Sequence, residues 1–165
     1  MGAGLFALQA VYATSHASTI AAPVIDSDDG SDRFDRHPCG NELCMVVQLN
    51  GVTEESDLPE AVGRFLIKLG KSLRGETGRS GADTLLIHFN AYRILPDGTR
   101  QPVPWAMASV SIAEVASARP ADFERALRLV RAIRFDFPDA VRATKAFCGD
   151  PANVGPSDRF CRLVQ

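Results

Sequence analysis

The first 25 residues, MGAGLFALQAVYATSHASTIAAPVI, contain no Lys, Arg, Asp or Glu, and charge begins abruptly at Asp26. The stretch is too short and too broken by polar residues to read as a transmembrane helix. Leu5 to Ala13 instead resembles the apolar centre of an export signal, and Ser15-His16-Ala17 ends in the small residues a signal peptidase accepts, although no basic residue follows Met1. Residues 1–22 are therefore expected to be a secretory signal peptide. The acidic run PVIDSDDGSDRFDRHP that follows has no apolar periodicity and is expected to be a flexible linker over residues 23–38.

Catalytic signatures are missing as well. No Ser or Cys sits in a nucleophile elbow of the form G-x-S-x-G. The glycine-rich stretch Gly75 to Gly81 lacks the Lys-Ser/Thr ending of a phosphate loop and leads from a helix into a strand, the reverse of that motif's order. The cysteines are spaced C-x4-C and C-x12-C, not as the C-x2-C knuckles of structural zinc sites, so neither a metal nor another cofactor is expected. A formal net charge of -2 and a pI near 5.9 give no whole-molecule attraction to nucleic acid or anionic membrane.

What is present describes one domain. At 165 residues with 45% hydrophobic side chains, the chain is long enough for a single core, expected over residues 39–165. TLLIHFNAYRI and PVPWAMASVSIA flank Leu95-Pro96-Asp97-Gly98, whose proline, turn-forming carboxylate and glycine predict a reversal and hence a β-hairpin. Folding about Asp97-Gly98 places Leu85, Ile87, Phe89 and Ala91 on one face with Ala106, Ala108, Val110 and Ile112. That face is wholly apolar and must be core. The opposite face then carries His88, Asn90, Tyr92, Val103, Trp105 and Met107, a mixture of polar groups and large amphipathic side chains.

Cys44 to Asn50 is expected to be an earlier strand. Asp57-Leu-Pro-Glu60 has the form of a capping box with proline in the first turn. Leu58, Val62, Phe65, Leu66, Leu69 and Leu73 follow at helical spacing, which predicts a helix laid on the sheet. Arg119-Pro120-Ala-Asp-Phe123 opens a second predicted helix with Phe123, Ala126, Leu127, Val130 and Ile133 buried, and a third, shorter one is expected through Phe147. The tail after Cys148 has no period and needs a tether. Four cysteines allow three pairings, of which proximity favours Cys39 with Cys44 and Cys148 with Cys161. The expected fold class is α+β: a small, mostly antiparallel sheet in the order β-α-β-β-α-α, with helices packed on one face and disulfides holding it.

The functional expectation is an exported, periplasmic or secreted, non-enzymatic binding or adaptor protein, such as an accessory subunit of a bacterial cell-envelope assembly. Its candidate contact residues are His88, Asn90, Tyr92, Trp105 and Met107 toward another protein, because Tyr, Trp and Met carry binding energy at interfaces. Arg125, Arg128 and Arg131 on the second predicted helix are candidates for an anionic partner, although Glu124 and Arg128 at i,i+4 also suit a plain solvated face. Two alternatives are a small hydrolase-like periplasmic enzyme using His88 and a cytosolic regulatory domain with reduced cysteines.

Overall fold

A computed structural model describes residues 24–26, 36–49, 57–75 and 83–164. The expected signal segment, the Asn50-Gly51 turn and the glycine-rich loop beyond Gly75 lie outside the described residues. In chain order the elements are β1 (Val24–Asp26), β2 (His37–Cys39), β3 (Glu42–Leu49), α1 (Leu58–Gly75), β4 (Thr84–Ile94), β5 (Arg100–Ser111), α2 (Ile112–Ser117), α3 (Phe123–Leu127), β6 (Val130–Phe135), α4 (Pro138–Gly149) and α5 (Pro151–Val164). The sheet runs β1-β3-β4-β5-β6, with β2 paired to β3 beside β1. The β1–β3 and β3–β4 pairs are parallel and the other three antiparallel. This is the expected α+β class, and α1 is the crossover that a parallel β3–β4 pair requires.

Strand alternation decides where the core lies. Met45, Val47 and Leu49 of β3, Leu85, Ile87, Phe89 and Ala91 of β4 and Ala106, Ala108 and Val110 of β5 are all buried, and the register sets them side by side. The predicted stripe of α1, from Leu58 to Leu73, is buried to within 5% exposure at all six positions. Full burial of such a side chain contributes roughly 2 kcal/mol, so this one helix supplies a large share of the closure. Helices α2, α3 and α4 then pack on α1. Gly63 is the point of closest approach: a Cβ there would stand 2.5 Å from the backbone oxygen of Phe123 and 2.8 Å from its Cβ.

Four sequence expectations are corrected. The stretch read as a linker enters the sheet at both ends, as β1 and as the first two residues of β2, because β3 has an edge that β4 leaves open; residues 27–35 between them lie outside the described residues. The second predicted helix ends at Leu127, and Val130–Phe135 is a strand on β5. Its Val130 and Ile133 match a helical step of three, but pairing with the exposed edge of β5 satisfies the backbone of the whole segment. Ile112 does not continue the hairpin. It opens α2, capped by Ser111 Oγ accepting from the Glu114 amide at 3.4 Å. The tail is helical: Asp150 Oδ1 accepts from the Ala152 amide at 2.9 Å, Pro151 stands at the helix start, and Phe160, Cys161 and Val164 reach the core. Pro156 lies inside α5, and Arg128 donates to the carbonyls of Pro156 and, at 2.8 Å, Gly155.

Both favoured disulfides are present, Cys39–Cys44 with Cα atoms 5.8 Å apart and Cys148–Cys161 at 5.4 Å. The second joins α4 to α5 across 13 residues, a loop whose closure contributes about 3 kcal/mol in the chain-entropy model.

Two outcomes follow from this packing. Gly63→Ala is expected to lower unfolding stability by about 1–2 kcal/mol despite its better helix propensity, because backbone must move to admit the methyl. Gly149→Ala, in the last turn of α4 with nothing within 4 Å of the added carbon, is expected to raise stability by about 0.5 kcal/mol. Urea titration of both variants checks the opposite signs. For the cysteines, thiol titration of the denatured, unreduced protein is expected to find none of the four reactive, and all four after reduction.

Candidate functional site

The turn that builds the hairpin is held by its own residues. Gly98 donates to the Leu95 carbonyl and Leu95 to the Thr99 carbonyl, each at 2.9 Å. Gly98 takes φ +80°, a conformation that costs glycine little. Asp97 Oδ1 accepts from the Thr99 hydroxyl at 2.6 Å and the Thr99 amide at 2.9 Å. The hydroxyl first and the amide second hold its carboxyl below the ordinary carboxylate range. A lowered folded pKa means that the turn is supported while Asp97 is ionised and loses this support as pH falls through the folded value.

This turn is centred on Asp97, with Ile94 opposite Arg100, rather than between Asp97 and Gly98. The one-residue difference persists along the ribbon until the register shifts: Asn90 pairs with Pro104 but Phe89 with Ala106, leaving Trp105 as an extra residue in β5. A bulge of this kind sets two consecutive residues opposite one and re-aims a side chain. Trp105 is accordingly turned into the core at 4% exposure, stacked on Phe137 with centroids 6.2 Å apart and planes 12° from parallel. Arg93 Cζ lies 5.9 Å from the centre of the same Phe137 ring. Trp105 is therefore removed from the expected contact face, and so is Val103, which pairs with Ala91 and packs against the core. Trp105 Nε1 has no hydrogen-bond partner among the described residues. Leaving that donor unmade costs about 1–3 kcal/mol, against roughly 3 kcal/mol or more for burying the ring and about 1 kcal/mol for the stack. Burial wins.

The remaining outer face is coherent. The register sets Val46, His88 and Met107 in one row across β3, β4 and β5, with Arg134 of β6 beyond Met107. Asn90 faces Pro104 and Tyr92 faces Pro102. His88, Asn90, Tyr92 and Met107 are thus brought together, each half-buried. Gln48 Nε2 donates to the Asn90 carbonyl at 3.3 Å, tying β3 to β4 at this point. Among the described residues, no hydrogen bond joins His88 to a carboxylate, and no three of His, Cys, Asp and Glu gather as a metal site.

Sequence reasoning missed the end of the ribbon. The last β3–β4 pair is Leu49 with Ala91, and the last β5–β6 pair is Ala106 with Phe135, so residues 92–104 project past both strands as they are described. Ile94 shares the parity of Tyr92 and is 58% exposed, and Pro102 and Pro104 are exposed beside them. The signal for this was the parity of Ile94 within the predicted strand.

The arginines do not form a joint surface. Arg125 pairs with Asp122 in the first turn of α3. Arg128 clamps α5 through backbone carbonyls. Arg131 is the extra residue where β6 shifts register on β5, and its Nη2 lies 3.3 Å from Glu114 Oε1. With no long helix to carry them, the expected arginine-rich helical face is absent among the described residues.

Truncations separate the two sides of the ribbon. Trp105→Ala is expected to cost about 3–5 kcal/mol, and Tyr92→Ala on the outer face no more than about 1 kcal/mol, as read from denaturant midpoints. Comparison of the chain with protein-family models, with curated proteins and with solved structures finds no match.

Proposed function

We propose that this chain is an exported, disulfide-stapled binding domain, an accessory or adaptor subunit of a bacterial cell-envelope assembly, that holds another protein on the outer face of its sheet. The observation that carries this reading is one-sided packing. Apart from the disulfide-bonded Cys44, the core residues of β3 and β4 lie on the face toward the helices, while Tyr92, Ile94, Met107, Pro102 and Pro104 form an exposed or half-exposed strip on the other. Large apolar side chains on a surface that its own core does not use are the usual material of a contact site.

The size is adequate. Four strands about 4.8 Å apart, with a central ribbon of about eleven residues at roughly 3.3 Å each, span on the order of 600 Å². Standard interfaces take about 600–1,000 Å² from each partner, and this face reaches the lower end of that range. Two disulfides support export, since bridged cysteines persist in oxidising compartments.

Photo-crosslinking in the producing cells tests this directly. A crosslinker at Tyr92 or Ile94 is expected to give the same discrete protein adduct, lost when Met107→Asp is added, whereas a crosslinker at exposed Arg142 on α4 gives none. Equal labelling from Arg142 and Ile94, or no adduct from either ribbon position, would overturn the reading.

A further inference from the structure

On the helical side, a cleft of about 140 Å³ opens between the C-terminal half of α1 and the chain connecting α2 to α3. One water needs roughly 10–15 Å³ of such space, so the cleft admits a group of several heavy atoms. Its charged lining is Lys71, Arg74 and Arg119, with no carboxylate among the described residues. We propose that this cleft binds a small, doubly charged oxyanion of the phosphate or sulfate type, free or as the terminal group of a larger molecule.

Three observations converge. First, three cations from two segments line one cleft with no counter-charge: among the described residues no ion pair neutralises Lys71, Arg74 or Arg119. Unpaired cations occur elsewhere, as with Arg128 on backbone carbonyls and Arg93 over the Phe137 ring, so it is the gathering of these three that sets the cleft apart. Like charges gathered around one cleft repel, and an anion relieves that cost. Second, the arginine fork is pre-positioned. Arg74 is half-buried, and its Nη1 donates to the Ala118 carbonyl at 3.1 Å. A guanidinium carries five N–H donors, so this anchor fixes the plane while leaving others for a ligand. Third, Gly70 brings the walls together. A Cβ there would stand 2.8 Å from the Val115 carbonyl oxygen and 3.5 Å from Arg74 Nη1.

Bases near the end of α1 also suit the helix dipole. That accounts for Lys71 and Arg74 but not for Arg119, which reaches the same cleft from a different segment. An extended polyanion is disfavoured by the net charge of -2, so the ligand chemistry is a compact anionic group rather than a nucleic acid. The site lies on the helical layer, away from the outer sheet face, and stands or falls separately from the proposed protein contact.

The full-length protein is titrated by calorimetry at low salt with inorganic phosphate, with O-phosphoserine, and with phosphatidylcholine vesicles carrying or lacking phosphatidic acid. Saturable binding of at least one phosphate probe is expected, weakened roughly tenfold or more by Arg119→Gln and by Lys71→Gln, competed by sulfate and unchanged by Arg142→Gln. Both cleft residues are exposed, and circular dichroism verifies that the variants fold. Binding to the soluble probes identifies a free or monoester phosphate. Binding only to phosphatidic acid vesicles, with the same loss in both variants, identifies a lipid headgroup. Absence of saturable binding to every probe up to roughly 10 mM, or binding that survives both substitutions, overturns the proposal.

Discussion

One dry layer governs this molecule: the apolar stripe of α1 pressed onto one face of β3, β4 and β5. Because strand side chains alternate, committing Leu85, Ile87, Phe89 and Ala91 to that layer commits His88, Asn90 and Tyr92 to the other face. The same layer makes β3 and β4 parallel neighbours, since α1 carries the chain back to the end of the sheet where β3 began. It also demands that α2 and α3 lie close along α1, which Gly70 and Gly63 permit by having no side chain at the contact. On the outer face, Tyr92, Ile94 and Met107 lie outside that layer, so their identity has to be explained by something other than the inner packing.

Where local chemistry and tertiary packing agreed, the fold could be read in advance. The capped, periodic α1 and the alternating β4 carry their own signals, and every buried position expected for them is buried. The second strand of the hairpin was only half legible. Taking the turn as two residues was an error of one, and the bulge at Trp105 adds one residue back. The inner pairs, Leu85 with Val110 and Phe89 with Ala106, therefore came out correctly, while Val103 and Trp105 were assigned to the wrong face. A bulge leaves no mark in periodicity until its partner strand is known. The β6 segment was misread for a related reason: Val130, Ile133 and Phe135 fit either period, and only the open edge of β5 decides between them. The α2 and α5 starts were legible and passed over, Ser111 with Glu114 in one case and Asp150-Pro151 in the other. Among the proposed contact residues, His88, Asn90, Tyr92 and Met107 could be placed from alternation alone, whereas the isolation of each arginine depends on carboxylates and carbonyls brought from elsewhere in the chain.

The two disulfides sit where that dry layer has least hold. Cys39–Cys44 closes β2 onto β3 at the margin of the sheet, and Cys148–Cys161 ties α4 to a final helix interrupted by Pro156. A proline inside a helix removes one backbone hydrogen bond and costs about 3 kcal/mol. The bridge, the Arg128 clamp and the burial of Phe160 together offset a loss of that size. Covalent closure is thus spent on the segments whose own sequence argues against order.

The edges bear on how a partner could dock. A free strand edge invites another chain to add to the sheet, and charged residues or prolines along it discourage that. On β6, Arg131 and Arg134 are both exposed, and on β5 the stretch beyond the end of β6 contains Pro102 and Pro104, which offer no N–H to a ladder. Strand addition along this side is disfavoured at both places, in keeping with the proposed use of the face. The prolines act there a second time. By fixing φ on one arm of the projecting ribbon they reduce its conformational freedom, and in the proposed contact Tyr92 and Ile94 would sit on a stiffened support whose ordering costs binding less.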